Sequence, residues 1–453
     1  MTLGRSFFWL LLAEFLFYAS GYVVHMGAGR ILGVEDYGRY TLVITVTILV
    51  ANLIGAGLPI AMGKFLSAAH AAQDRVLARA IKKQVALWQT VFMVAVGGGF
   101  FLLAPLLAAG LGDPTLAPLF ALSALIIPLY GADLYYFHYY SGLKRFDVQS
   151  WLKFARSVLR ISVILALAYW FHLSGMIIGY IVVPFAVFLL AWGIDRKTGH
   201  GSWNADHGKK GRGSGIHSNL VHKARLASTA GVHSIFSFGQ AWRLAGATIV
   251  FLAFFELLVS FDVYLLKYIF GDDALVGEYN AALTIARIPT FLFYALTIIL
   301  LPTISQSHAL KDATRSKKLI SLVLKYMSFV TLGLVFCLVA FPRVAVDLIF
   351  GAEFVLAASI LPGLGAALGL LTFLYVLGFA FVAASRARIP VMVGVLALVC
   401  NVLLAITLAP FLGIPGILLA KGVTALVVFV SVLAACRVVF GARLGWKNGS
   451  LAL

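Results

Sequence analysis

Apolar residues run along this chain in blocks of about 20. They lack both the two-residue alternation of a half-buried strand and the regular polar interruptions of a soluble amphipathic helix. Blocks of that length match helices that cross a hydrocarbon core ~30 Å thick. Twelve are read, at roughly 7–29, 41–63, 85–110, 115–141, 154–172, 174–195, 244–270, 279–303, 320–342, 355–384, 389–410 and 413–436. Because the runs are continuous, a transmembrane β-barrel is excluded. The polar connections are short except for 196–225, which is basic and rich in Gly and His. It reads as a flexible cytoplasmic linker between an N-terminal bundle, 1–195, and a C-terminal part, 226–453. In the latter an amphipathic segment, 226–243, precedes six spans. Segments 64–84 and 219–242 mix polar and apolar residues at helical spacing and are expected to lie on the membrane surface.

The polar punctuation repeats. GVEDYGRY at 33–40 is echoed by GDDALVGEY at 271–279, so that Gly277 and Tyr279 lie 239 residues beyond Gly38 and Tyr40. Gly112 maps onto Gly351 by the same offset, Pro59 falls near Pro302 at an offset of 243 and Pro105 near Pro342 at 237, and HLSG (172–175) corresponds to FLGIPG (411–416). Six spans per half give both halves one orientation, which makes the repeat parallel. The expected fold is an all-α polytopic membrane protein of about twelve helices in two parallel-repeat six-helix bundles.

Composition agrees with this reading. The 453 residues are 62% hydrophobic and only 11% charged, against about 25% charged in soluble domains. The net charge of +18 raises nucleic acid as a partner, but its placement excludes it. Alternate loops on one side, with both termini, hold 28 Lys and Arg, and those on the other hold only Arg30, Arg39, Lys267 and Arg343. That asymmetry puts both termini in the cytoplasm. Cys337, Cys400 and Cys436 lie in apolar runs without metal or disulfide spacing and read as small core residues. His200, His207, His217 and His222, in or near the linker, lack paired metal-ligand spacing. No cofactor or metal is expected. The first apolar run, from Phe7, is long enough to span and has no convincing cleavage site. No nucleophile elbow, Walker A loop or HExxH motif is present, so neither an enzyme nor a self-contained ATP pump is expected.

Polar residues inside the spans are the candidates for function. Glu14, Tyr18, Tyr22, His25 and Gly29 follow one face of the first span. They form either a cavity wall, with Glu14 or His25 as a proton or cation site, or a helix–helix hydrogen-bonding face. Asn280, Thr284, Arg287 and Tyr294 form a second stripe. Arg287 and Lys421 lie too deep to reach water easily, and suit an anionic head group unless Asp262 or Glu256 neutralises them. Lys153, Arg156 and Arg160, spaced i, i+3, i+7, mark either a basic entrance for a phosphate-bearing lipid or anchoring to anionic head groups. Asp133 precedes LYYFHYY (134–140), an aromatic run that reads most simply as an interfacial belt and alternatively as a sugar-stacking surface. Asp262 and Lys267 are expected to form a local charge pair. Substrate contacts are thus assigned to Arg287, Lys421, Arg160, Arg156, Tyr18, Tyr22, Asn280 and Thr284, and ion coupling to Glu14, His25, Asp133 and Asp262.

The run 29–67 carries Arg30, Leu32 and Gly33, then Gly38 and Tyr40, then Gly57, Leu58 and Pro59. In this it resembles the opening of the polysaccharide and O-antigen flippases of the multidrug/oligosaccharidyl-lipid/polysaccharide flippase superfamily. SFDVYLLKYIFGDDALVGEY (260–279), LLP (300–302) and FLGIPGILLAKGVTAL (411–426) extend the resemblance over most of the chain, leaving 196–215 unmatched. The resemblance implies alternating access that moves a polyprenyl-pyrophosphate-linked oligosaccharide from the cytoplasmic to the outer leaflet of a prokaryotic inner membrane. Membrane lipids and glycan polymerase or assembly proteins are the implied partners. Many relatives place cationic residues in the central cavity, whereas the first span here supplies Glu14 and His25 without a deep Arg. That departure favours a repeat-unit flippase over a lipid II flippase. The alternative within the superfamily is a cation-coupled multidrug exporter with a dominant cavity carboxylate, Glu14 first. A membrane glycan polymerase or ligase would need a large outer loop, and none is expected here.

Overall fold

Helices form wherever the apolar runs predict them. The computed structural model describes residues 3–55, 57–71, 74–198, 238–309, 312–384 and 386–442, and contains no strand among them. In chain order the helices are α1 Leu3–Gly55, α2 Gly57–Ala71, α3 Arg75–Gly110, α4 Ala117–Ser123, α5 Ile126–Gly142 and α6 Phe146–Thr198. They continue with α7 Phe238–Phe270, α8 Asp273–Ala286, α9 Ile288–Ala309, α10 Ala313–Ala340 and α11 Pro342–Ile349. Last come α12 Val355–Ala383, α13 Arg388–Leu412 and α14 Ile414–Phe440. Most of the linker with its four His, and the start of the segment after it, lie outside the described residues.

Eight of the described helices are long and apolar enough to cross a membrane, or nine if the bent pair Leu12–Leu53 and Gly57–Ser67 is one span. The difference from twelve apolar runs has a physical origin. Helices α1 and α6 are 53 residues each, about 80 Å if straight, and each takes up two runs by turning back. In α1 the turn is at Gly33, with φ 74° and ψ −179°. The rings of His25 and Tyr40, ~22 Å apart along a straight helix, come within 6.0 Å. In α6 it is at His172, with φ 49° and ψ −131°. A Cβ on Gly179 would stand 2.8 Å from Ile164 Cα, so the two arms pack tightly. The run at 279–303 is broken at Arg287, because Pro289 lacks the amide hydrogen that a continuing helix needs.

The repeat survives in backbone conformation. Gly33 and Gly271 (φ 74° and 69°) and Gly112 and Gly351 (φ 70° and 107°) are paired positive-φ positions. His172 matches Gly413, whose φ 64° and ψ −138° are nearly its own. The prolines diverge: Pro105 sits within α3, whereas Pro342 opens the short helix α11.

Two compact units group these helices: Met1–Gly21, Val46–Pro105 and Ala117–Gly246, and then Tyr22–Thr45, Leu106–Leu116 and Ala247–Leu453. In the first, Leu58, Met62, Val85, Val187 and three tyrosines make a core. The expectation of an interfacial belt at 134–140 is corrected here. Tyr135, Tyr136 and Tyr140 are buried, and two of them tie helices together. Tyr135 Oη donates to the Lys82 carbonyl (3.1 Å) and Tyr140 Oη to that of Ala191 (2.9 Å). Consecutive aromatics point around a helix rather than to one side, so several of them meet neighbouring helices.

In the second unit the two echoed segments cross. A Cβ on Gly38 would strike the carbonyl oxygen of Asp273, and one on Gly277 that of Val34. Only glycine permits backbones this close. Side chains lock the crossing. Lys267 Nζ donates to Asp113 (3.0 Å) and Asp273 (2.7 Å), and Arg39 donates to Thr115 Oγ1. Asp272 caps α8 by accepting from the amides of Ala274 and Leu275. Asp113 is held below the usual carboxylate range. Burial raises its pKa, but hydrogen bonds from Thr115 and Lys267 outweigh that.

Candidate functional site

Among the described residues, two clusters of charge lie within the spans, one in each unit. In the first unit the cations stand on the first arm of α6, whose i, i+3, i+7 spacing puts Lys153, Arg156 and Arg160 on one face. Lys153 donates to the Glu14 carboxylate of α1, and Arg156 pairs with Asp133 of α5. The Arg160 guanidinium reaches the Tyr180 hydroxyl at 3.3 Å. It also lies where a Cβ on Gly21 would be 3.2 Å from its Nη1, so a side chain there would crowd it. All three cations approach the Phe17 ring, at 5.2, 5.1 and 5.5 Å from its centroid. Ring faces carry partial negative charge and stabilise such a row by about 0.5–2 kcal/mol each. Tyr18 meets Phe17 edge-on at 5.7 Å. Tyr130 lies under Arg156 at 4.9 Å and donates to Asn52 Oδ1 at 3.0 Å. The result is a half-buried basic row with aromatic faces and hydroxyls beside it.

In the second unit Lys421 and Asp262 are both fully buried, and pair at 2.9 Å. Lys421 Nζ also donates to the carbonyls of Leu258 and Val259, and Asp262 accepts from Tyr279 Oη at 2.7 Å. An ammonium with three oxygen acceptors is well satisfied. Arg287 ends α8, where its Nη2 donates to Ser260 Oγ (2.6 Å) and its Nη1 lies 3.4 Å from Glu256. Asn280 and Thr284, buried on α8, share its helical face. Tyr22 packs edge-on against Phe291 at 5.6 Å.

Sequence reasoning located these residues but misassigned some partners. Asp262 and Lys267 do not pair with each other. They are five residues apart, roughly 140° around a helix, so each finds a partner on another element. The stripe on the first span does not act as a unit. Glu14 joins Lys153, whereas His25 shares a 3.0 Å hydrogen bond with Tyr37 and Gly29 packs under Phe350. The neutralising carboxylates weighed for Arg287 and Lys421 are the ones found. Other polar residues carried no signal in the sequence. Glu278 accepts from the Ala357 amide (2.7 Å) at the start of α12. Lys82 pairs with Asp195 at 2.5 Å, and Gln89 Nε2 donates to the Gly55 carbonyl at 3.0 Å.

The profile described as polysaccharide biosynthesis protein matches residues 3–308, and that of the lipid II flippase MurJ matches residues 237–449. No curated protein sequence matches significantly. Among solved structures, an inward-facing multidrug resistance MATE family transporter of the MOP superfamily superposes with TM-score 0.68 and 12% identity. The match covers 92% of this chain and 94% of that one. An outward-facing multidrug resistance MATE family transporter of the MOP superfamily gives the same TM-score and identity, with 96% of each chain covered. The Vibrio cholerae MATE transporter VcmN in its bent form gives 0.60 at 16% identity, over 96% and 98%. At such identities the likeness is one of fold.

Proposed function

Because the chain belongs to the polysaccharide biosynthesis protein family, whose fold here is that of the MATE transporters, we propose that it flips a polyprenyl-pyrophosphate-linked oligosaccharide. The direction is from the cytoplasmic to the outer leaflet of a prokaryotic inner membrane, by alternating access of two six-span halves, 1–195 and 226–453. The observation that carries the reading is the row Lys153, Arg156 and Arg160 beside Phe17, Tyr130 and Tyr180. An arginine fork is matched to phosphate oxygens, and ring faces suit the apolar faces of sugars. A pyrophosphate entering the row takes over the hydrogen bond that Glu14 accepts from Lys153 and the ion pair that Asp133 makes with Arg156. Arg287, with Asn280 and Thr284 on its helix, is the corresponding candidate of the second unit.

The alternative, a cation-coupled drug exporter, draws on the fold shared with the MATE transporters. Against it, Glu14, Asp133 and Asp262 each already hold a protein cation, which a cationic drug would have to displace.

The test is export in a strain lacking the gene. Arg156→Gln, Arg160→Gln and Arg287→Gln, each present at the wild-type level, should abolish surface glycan and accumulate lipid-linked sugar inside the cell. Normal glycan in all three variants would refute the assignment. Drug sensitivity of the deletion strain with intact glycan would favour the exporter.

A further inference from the structure

Within the first unit, away from the basic row, a cleft of about 760 Å³ opens between the start of α3, the middle of α5 and the end of α6. Its walls are mostly apolar, with Ala86, Val94, Leu129, Ala132 and Phe188 among them. Its mouth is basic. Arg79 and Lys83 line it one helical turn apart, both exposed, and i, i+4 side chains on a helix face one another. The other charges at the mouth are already engaged. Lys82 Nζ donates to Asp195 at 2.5 Å and lies over the Tyr139 ring, and the Arg196 guanidinium stacks on Trp192 at 3.8 Å. Asp195 therefore leaves the Arg79–Lys83 charge in place.

The helices are also joined further along α3. Gln89 bonds to Gly55 and Gly131, and a Cβ on Gly97 would stand 3.1 Å from Pro128. The cleft lies among these contacts and the links of Lys82 to Tyr135 and Asp195. On the neighbouring face of α3, Leu87 and Val91 are 62% and 51% exposed, as expected of positions that touch lipid chains. A basic mouth just ahead of the first apolar turn, leading into an apolar slot beside a lipid-facing surface, has the polarity profile of a lipid's own interface.

We propose that this cleft is a binding site for an anionic glycerophospholipid, with its phosphate between Arg79 and Lys83 and an acyl chain along the apolar wall. Basic pockets between membrane helices recognise phosphate head groups in this way. Site occupancy would add to the links through which Lys82 already joins α3 to α5 and α6.

The experiment is native mass spectrometry of the full-length protein in detergent, titrated with phosphatidylglycerol, phosphatidylcholine or decaprenyl monophosphate. A saturable phosphatidylglycerol adduct is expected, stronger than that of phosphatidylcholine. Arg79→Gln with Lys83→Gln, both exposed positions that leave folding intact, should weaken it roughly 10- to 30-fold. Ala132→Trp, which fills the slot without touching charge, should weaken it comparably. Unchanged affinity in the charge variant overturns the proposal. So does an equal loss in Lys317→Gln with Lys318→Gln, since that would indicate diffuse charge. Tighter binding of decaprenyl monophosphate overturns it too, by assigning the cleft to a carrier lipid. The readout is lipid binding, so this outcome stands apart from that of the export assay.

Discussion

Replacing Gly38 or Gly277 by alanine tests whether the two echoed segments are held by direct backbone contact. A methyl at Gly38 overlaps the Asp273 carbonyl and stands 2.8 Å from the Gly277 nitrogen. Ordinary contacts begin near 3.5 Å, so α1 and α8 must separate by roughly 0.7 Å even on the more lenient contact. Overpacking of this kind costs about 1–3 kcal/mol, and backbone atoms cannot rotate away as a side chain would. The reciprocal change at Gly277 meets Val34 and comes within 3.2 Å of the Gly38 nitrogen. Each single variant should therefore lower the unfolding temperature of the purified protein. The double variant should cost less than the sum, because the first methyl already opens the crossing that the second needs. Gly98→Ala is the control. It has no neighbour within 4 Å in the interior of α3, and should stabilise by about 0.5–1 kcal/mol through helix propensity alone. Wild-type stability in both crossing variants, or strict additivity of the pair, would refute the close-contact argument.

Other residues give further tests. Lys421→Met strands the fully buried Asp262 carboxylate and should destabilise by about 3–5 kcal/mol; adding Asp262→Asn should recover most of it, and failure to do so would show that the two act independently. His172→Gly should raise the unfolding temperature, because φ 49° with ψ −131° strains any residue with a Cβ by about 1–3 kcal/mol; Gly413→His should do the reverse. Asp113 is held below its ordinary pKa by Thr115 and Lys267, so its contribution to stability is full above pH ~4 and lost as pH falls through the lowered value. Asp113→Asn should flatten that part of the pH–stability profile, and an unchanged profile would remove Asp113 as its source.

The sequence made the repeat and the spans legible because their signals are local. Gly112 and Gly351 match by their 239-residue offset alone, and both sit at positive φ. His172 shows the limit, since only its glycine twin, Gly413, reveals how unusual its backbone is. The candidate site was legible as a set of residue types, because a charge in an apolar run stands out. Its pairing was not. Glu14 with Lys153, Asp133 with Arg156, and Asp262 with Lys421 join residues on different helices, and no spacing rule links them. The one local pair expected, Asp262 with Lys267, failed on helical geometry. The aromatic run 134–140 was misread for a related reason: side chains that surround a helix take their roles from several neighbours at once.

The ion pairs of the two clusters also have an electrical meaning. A single charge carried across the membrane potential exchanges about 2.3 kcal/mol per 100 mV. Lys421 with Asp262, Lys153 with Glu14 and Arg156 with Asp133 each form a couple of opposite charges. Rearrangement of a unit that keeps its pairs intact moves these charges through the field at almost no electrical work. Any voltage dependence of transport would then report chiefly the charge on what is carried.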